Sequence, residues 1–168
     1  EKTSGLTSDE LNKIDVGSWF NTKYPERSNA AFALETIPTL AQAMQLLHLF
    51  RGLIYIELMA GDYDWRELSE AVCNVICASP LRPQIIVKSF NLALIPEIKH
   101  RLAEVQTAAL FEPTIMGYLR RRNHIVAMAG EIGADQISVH RSLITRKLAA
   151  LASELQIPVT IWTVDDPT

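Results

Sequence analysis

Short, continuous runs of apolar residues punctuate the chain from residue 52 onward. They are rich in β-branched and aromatic residues and do not alternate with polar positions. A strand covered on one face alternates, whereas a strand covered on both faces forms one apolar run, as in a parallel sheet. The pattern therefore predicts covered parallel strands at residues 52–58, 84–90, 105–111, 136–140 and 158–164.

Between these runs, apolar residues recur at helical spacing. Helices are predicted at residues 65–78, 94–102, 120–132 and 145–155, with Gly133 and Thr145 at capping positions. Strands that alternate with helices every ~20–30 residues are typical of βαβ units around a parallel sheet. The predicted fold class is therefore α/β.

The first part of the chain lacks this alternation. Residues 1–36 are polar and interrupted, and we interpret them as a linker or insertion, with Ser8 as the N-cap of a short helix. The βα units occupy residues 37–168, where Thr39 is predicted to cap another helix. Five parallel strands cannot close an eight-stranded barrel. Since the chain lacks an initial methionine and ends directly after a strand, we expect an incomplete barrel rather than an open sheet.

The composition limits what the chain can bind. Of its 168 residues, 48% are apolar, and its net charge of −3 argues against a strongly basic nucleic-acid surface. We interpret the cluster of Arg120, Arg121 and Arg122 as a solvated helix end. No run reaches the ~18 apolar residues of a membrane span. No nucleic-acid partner and no transmembrane segment are therefore expected, while the composition does not indicate a cellular compartment.

The two cysteines, Cys73 and Cys77, lie four residues apart on one predicted helix and therefore share a face. This spacing is poor for a disulfide, and no further Cys or His pair completes a zinc site. We interpret them as two small buried thiols.

Polar side chains mark the ends of the predicted strands. The residues are Glu57, Lys88, Ser89, His140 and Trp162. In parallel α/β folds the carboxyl ends of the strands carry the active site, and a cation-rich rim there suits an anionic substrate beside a metal. A buried, unpaired Glu57 would be costly, so it needs a metal, another cation or a raised pKa. From these residues alone His140 could equally cap its strand, Trp162 is more often core than a ligand contact, and the chain is an α/β protein with a candidate anion site.

The wording of several segments, in order, resembles the glycerophosphodiester phosphodiesterase family. The family linker L-x-x-L-D-x-G-S-W-F and the following I-P-T-L are matched by residues 11–20 and 37–40. Its strand motifs N-I-E-I-K, V-x-S-S-F-N, I-S-L-H and V-x-V-W-T-V-N are matched by residues 55–59, 87–91, 137–140 and 159–165. Together these matches span nearly the whole chain.

The resemblance implies a partial (β/α)8 barrel whose parent protein hydrolyses glycerophosphodiesters to glycerol phosphate and an alcohol. It implies a divalent cation, calcium or magnesium, with Glu57 as a ligand. It places Lys88, Ser89, His140 and Trp162 in the substrate pocket. The family's catalytic histidines stand in H-R-G and H-D motifs, and none of the four histidines here does. No catalytic residue is therefore assigned within this chain.

One position departs from the family pattern. The lysine that follows the strand glutamate by two residues is Met59 here, and methionine cannot neutralise phosphate charge. Two alternatives to the hydrolase follow. The first is a non-catalytic barrel relative that binds phosphate esters, and the second is an unrelated α/β binding domain whose polar strand ends are incidental.

Overall fold

Five strands form one all-parallel sheet, in the order in which they occur along the chain. The computed structural model describes residues 5–59, 65–114 and 124–165. The strands are β1 (Ile54–Glu57), β2 (Ile85–Ser89), β3 (Gln106–Phe111), β4 (Gln136–His140) and β5 (Val159–Trp162). Because the strands are parallel and sequential, and helices alternate with them, the predicted α/β fold class is confirmed.

The helices follow the predicted pattern to within a few residues. Three short helices precede the sheet: α1 (Ser8–Leu11), α2 (Ser18–Lys23) and α3 (Leu40–Leu46). Four more alternate with the strands: α4 (Trp65–Cys77), α5 (Leu94–Arg101), α6 (His124–Glu131) and α7 (Arg146–Glu154). 3₁₀ turns lie at Pro25–Arg27, Ala30–Leu34 and Arg82–Gln84.

Capping residues explain several of these boundaries. The hydroxyls of Thr39 and Thr145 accept hydrogen bonds from backbone N–H groups of the first turns of α3 and α7, as predicted. Gly133 has a φ of 72° after α6, a conformation that costs glycine little. The predicted cap Ser8 is wrong, because Thr7 fills that role through a reciprocal capping box with Glu10.

The two faces of the sheet carry different side chains. One face packs beneath the helices and contributes Ala109, Phe111, Ile137 and Val139 to the apolar core. Successive strand residues point to opposite sides, and residues paired across strands share a side. We call the other side the interior face; it carries Tyr55, Glu57, Lys88, Gln136, His140 and Trp162.

A hydrogen bond across the interior face shows how the sheet curves. The hydroxyl of Tyr55 on β1 donates to Oε1 of Gln136 on β4 at 3.2 Å, although two strands separate β1 from β4. These side chains meet because the sheet curls toward the interior face, as the wall of a barrel does. The described strands therefore form part of a (β/α)8 barrel, as predicted.

The chain divides into two compact units, Glu1–Leu47 and His48–Thr168, and the sheet lies in the second. In the first unit, the backbone oxygen of Phe32 lies so close to Gly17 that an added Cβ would be 1.7 Å from it. Asp15 Oδ1 accepts hydrogen bonds of 2.9 Å from the backbone N–H groups of Gly17 and Ser18. The ring of Phe20 contacts the rings of its neighbours Trp19, Tyr24 and Phe32.

Three smaller predictions concern the two cysteines, the arginine cluster and a membrane-spanning helix. Cys73 is buried but Cys77 is exposed, so the prediction of two buried thiols is wrong for the second. Cys77 is the last residue of α4, where the helix leaves the core. Arg120, Arg121 and Arg122 lie outside the described residues. Among the helices that the structure describes, none combines the length and the apolar character needed to cross a membrane.

Candidate functional site

A salt bridge joins the carboxyl ends of β1 and β2. Glu57 and Lys88 are paired in register on these neighbouring strands, and Lys88 Nζ lies 3.3 Å from Glu57 Oε2. Their side chains are 34% and 23% exposed, so both remain accessible from the interior face. Glu57 is therefore less buried than predicted, and Lys88 on the adjacent strand supplies a compensating cation of the kind that the sequence indicated.

Ser89 follows Lys88 but points to the opposite side of the sheet. Its buried hydroxyl donates to the backbone oxygen of Leu58 at 2.7 Å and accepts from the backbone N–H of Asn91 at 3.1 Å. These two bonds hold the backbone after β1 against the turn after β2. Contact between Ser89 and a substrate stays a prediction, while its observed partners are backbone groups.

The ring of His140, at the end of β4, is oriented by the loop that follows it. The backbone N–H of Ser142 lies 3.2 Å from Nδ1, and the Ser142 hydroxyl lies 2.9 Å from the same atom. A backbone N–H can only donate, so Nδ1 accepts and the neutral ring carries its proton on Nε2. His140 therefore has an N–H donor on the side of the ring away from the Ser142 loop.

Trp162 lies beside His140 at the end of β5. The two residues are paired in register, with ring centroids 5.1 Å apart, and the ring of Phe90 packs against Trp162 edge-on at 5.7 Å. The indole Nε1 is buried and has no hydrogen-bond partner within the described part of the chain. A buried donor of this kind is costly unless an acceptor meets it, so the indole N–H is a candidate contact for a ligand oxygen.

The strand register brings the predicted residues to one end of the sheet in two pairs. Glu57 with Lys88 ends β1 and β2, and His140 with Trp162 ends β4 and β5. The ammonium, the imidazole N–H and the indole N–H are all hydrogen-bond donors. Three donors on the interior face, at one end of the sheet, suit an anion such as a phosphate ester.

The described residues include one predicted ligand for the expected cation, the carboxylate of Glu57. Within residues 5–59, 65–114 and 124–165, no three His, Cys, Asp or Glu side chains form a group that could hold a metal ion. Glu57 supplies hard carboxylate oxygens to the interior face, and Lys88 shares them. Glu57 as a metal ligand therefore stays a prediction, and the described residues do not complete a site.

The Met59 side chain is uncharged, so it adds no positive charge to this end of the sheet. It follows Glu57 by two residues, and 84% of its surface is exposed. Lys88 lies on the neighbouring strand beside Glu57, so the positive charge is present at a different position from the family lysine.

The sequence did not identify three residues that shape the site. Tyr55 lies below the Glu57–Lys88 pair, with Lys88 Nζ 5.9 Å from its ring centroid. Phe90 and Ser142 contact Trp162 and His140, respectively. Strand parity could have indicated Tyr55, which precedes Glu57 by two residues, and Phe90 lies within the matched segment 87–91, but no sequence pattern pointed to Ser142.

Several solved structures are similar to this chain. A protein from Silicibacter pomeroyi that is assigned as a glycerophosphoryl diester phosphodiesterase has a TM-score of 0.83 at 20% identity, with 99% of this chain and 61% of that chain covered. An Oleispira antarctica phosphodiesterase in complex with its product, sn-glycerol-3-phosphate, has a TM-score of 0.80 at 18% identity, with 99% and 62% covered. A glycerophosphodiester phosphodiesterase from Parabacteroides distasonis has a TM-score of 0.70 at 18% identity, with 96% and 60% covered.

These likenesses establish the fold. The chain is part of a parallel (β/α)8 barrel. More particularly, it has the fold of part of a glycerophosphodiester phosphodiesterase, which confirms the predicted resemblance at the level of structure. It spans about three fifths of the length of the structures that it matches. No protein-family model and no curated protein sequence matches it.

Proposed function

We propose that the complete protein hydrolyses glycerophosphodiesters to glycerol phosphate and an alcohol, with this chain supplying part of the substrate pocket. The observation that carries the proposal is the Glu57–Lys88 pair, at the same end of the sheet as the donors of His140 and Trp162. The fold is that of glycerophosphodiester phosphodiesterases, and one structural neighbour holds sn-glycerol-3-phosphate as its product.

Lys88 is the proposed phosphate contact with the largest effect. Its ammonium carries a full charge, and it is partly screened from water at 23% exposure. The N–H groups of His140 and Trp162 would donate hydrogen bonds to the remaining phosphate or glycerol oxygens. Ser89 would act on the pocket by fixing the turn after Lys88 through its two backbone hydrogen bonds.

Glu57 is the proposed ligand for calcium or magnesium. A carboxylate is the ligand type that both ions prefer, and the other ligands would come from outside the described residues. Such a cation, when bound, offsets negative charge on phosphoryl oxygens. Glu57 would then bind the cation in place of Lys88, because the cation and the Lys88 ammonium compete for the same carboxylate.

The role of Glu57 can be tested by cation binding. Glu57→Gln in the complete protein keeps the shape of the side chain and removes its charge. Calorimetry should show calcium or magnesium affinity lowered by at least about tenfold, the loss that even residues outside the ligand shell cause. The matched control is Glu104→Gln, since Glu104 pairs with Arg82 at 3.1 Å just before β2 and β3 begin. Equal cation affinity in both variants would remove Glu57 from the metal site.

A non-catalytic phosphate-ester-binding relative is the second candidate, and Met59 favours it. An exposed methionine replaces the lysine that the family places near the phosphate. In an enzyme that uses Lys88 instead, Met59→Lys should change turnover little but should restore turnover lost in Lys88→Ala. In a non-catalytic relative neither substitution produces turnover. We also predict that the 168-residue chain alone does not release glycerol phosphate from glycerophosphocholine.

A further inference from the structure

Tyr55 connects the proposed phosphate contact to the far side of the interior face. Its ring centroid lies 5.9 Å from Lys88 Nζ, within the range of a cation–π contact. Its hydroxyl donates to Gln136 Oε1 at 3.2 Å. One side chain on β1 therefore contacts a cation on β2 and an amide on β4.

The amide that receives the Tyr55 hydroxyl is itself fixed. Gln136 is only 7% exposed, and its Nε2 donates to Gln106 Oε1 on β3 at 3.0 Å. Tyr55 is 39% exposed and would otherwise have room to change its rotamer. Because its hydroxyl is bonded to a buried amide, the ring is held in one orientation beside the ammonium.

Lys88 needs such support more than a shorter side chain would. Ordering a lysine costs more side-chain entropy than ordering a shorter side chain, because more rotatable bonds are fixed. The structure shows two contacts that order its ammonium, the Glu57 carboxylate and the Tyr55 ring. A cation bound at Glu57 would take over the carboxylate, and the ring contact would then remain.

We infer that Tyr55 is a positioning residue for Lys88: its ring holds the ammonium on the interior face, and the hydrogen bonds through Gln136 to Gln106 hold the ring. The inference rests on the proposed role of Lys88 in binding phosphate. It predicts that the contribution of Tyr55 to phosphate affinity exists only when Lys88 is present.

The test is a double-mutant cycle in the complete protein, with sn-glycerol 3-phosphate titrated by calorimetry. Lys88→Met should weaken binding by about tenfold or more, as expected for a lost charged contact. Tyr55→Leu should weaken binding about two- to fivefold in the wild-type background, and it should have no further effect in the Lys88→Met background. Tyr55→Phe, which keeps the ring, should lose less affinity than Tyr55→Leu. The control Arg82→Met removes a positive charge at the other end of β2 and should leave affinity unchanged.

Each result decides between the alternatives. An equal loss from Tyr55→Leu in both backgrounds would show an ordinary packing role and overturn the inference alone. Unchanged affinity in Lys88→Met would refute the role of Lys88, and the inference with it. If Tyr55→Leu does not fold, NMR of the wild-type protein provides the test. The Lys88 Cε protons should be shifted upfield by the Tyr55 ring and should lose that shift in Gln136→Ala, and the absence of any ring shift would overturn the inference.

Discussion

Asp135 should contribute more to stability than any exposed ion pair of the second unit. It directly precedes β4, and its Oδ2 accepts hydrogen bonds from the backbone N–H of Thr107 at 2.7 Å and from the Thr107 hydroxyl at 3.0 Å. Both of its oxygens lie 3.1 Å from Lys99 Nζ. The carboxylate thus joins the starts of β3 and β4 to α5, and Asp135→Ala removes all of these bonds.

The size of the effect follows from the burial of Thr107. Thr107 is fully buried, so its N–H and hydroxyl lose a charged acceptor where water has poor access. An unsatisfied buried donor costs about 1–3 kcal/mol, and the partly exposed Lys99 pair adds up to about 1 kcal/mol. The Asp135 side chain is 35% exposed, which lets water replace part of the loss. We therefore expect Asp135→Ala to lower the free energy of unfolding by about 2–4 kcal/mol.

The assay is urea unfolding followed by tryptophan fluorescence in a Trp19→Phe background, so that Trp65 and Trp162 report on the second unit. The matched control is Glu104→Ala, which removes an ion pair with Arg82 whose side chains are 55% and 40% exposed. That control should cost no more than about 1 kcal/mol. Equal losses in the two variants would refute the assignment of Asp135 as the acceptor for the buried donors of Thr107.

Three further predictions concern the first unit and the thiols. Gly17→Ala should destabilise the first unit by about 2 kcal/mol or more in thermal unfolding, because its Cβ would overlap the Phe32 oxygen, whereas Gly5→Ala meets nothing within 4 Å and should be neutral. The Ser18 hydroxyl and the N–H groups of Ser18 and Gly17 lower the pKa of Asp15 from 3.8. The stabilisation that the ionised Asp15 carboxylate provides should therefore be complete above pH 3.8 and should decline as the pH falls through the lowered pKa. Asp15→Asn should abolish this part of the pH dependence of stability. Burial raises the pKa of the Cys73 thiol, so a thiol reagent at neutral pH should label exposed Cys77 first, and Cys77→Ser should remove the fast phase; equal rates would contradict the assigned burial.

The sequence predicted features that depend on short-range patterns. Continuous apolar runs identified all five strands, and Thr39, Thr145 and Gly133 marked helix boundaries correctly. These features depend on residues a few positions apart, where hydrophobic spacing and backbone preference act directly.

Contacts across the sheet could not be predicted in the same way. The Glu57–Lys88 pair depends on the register of β1 and β2, and the Tyr55–Gln136 bond joins residues 81 positions apart through the curvature of the sheet. Neither register nor curvature is encoded in a local pattern. For this reason the sequence indicated that Glu57 needs a compensating group but did not identify Lys88 as its partner, while the strand-end location of the site residues could be predicted from the fold class alone.

The most direct test of the proposed function is the release of glycerol phosphate from glycerophosphocholine by the complete protein, with calcium or magnesium present. We predict cation-dependent release that falls by about tenfold or more in Lys88→Met and is unchanged in Arg82→Met. A folded complete protein that binds sn-glycerol 3-phosphate but releases none from the diester would contradict the hydrolase proposal and support the non-catalytic relative.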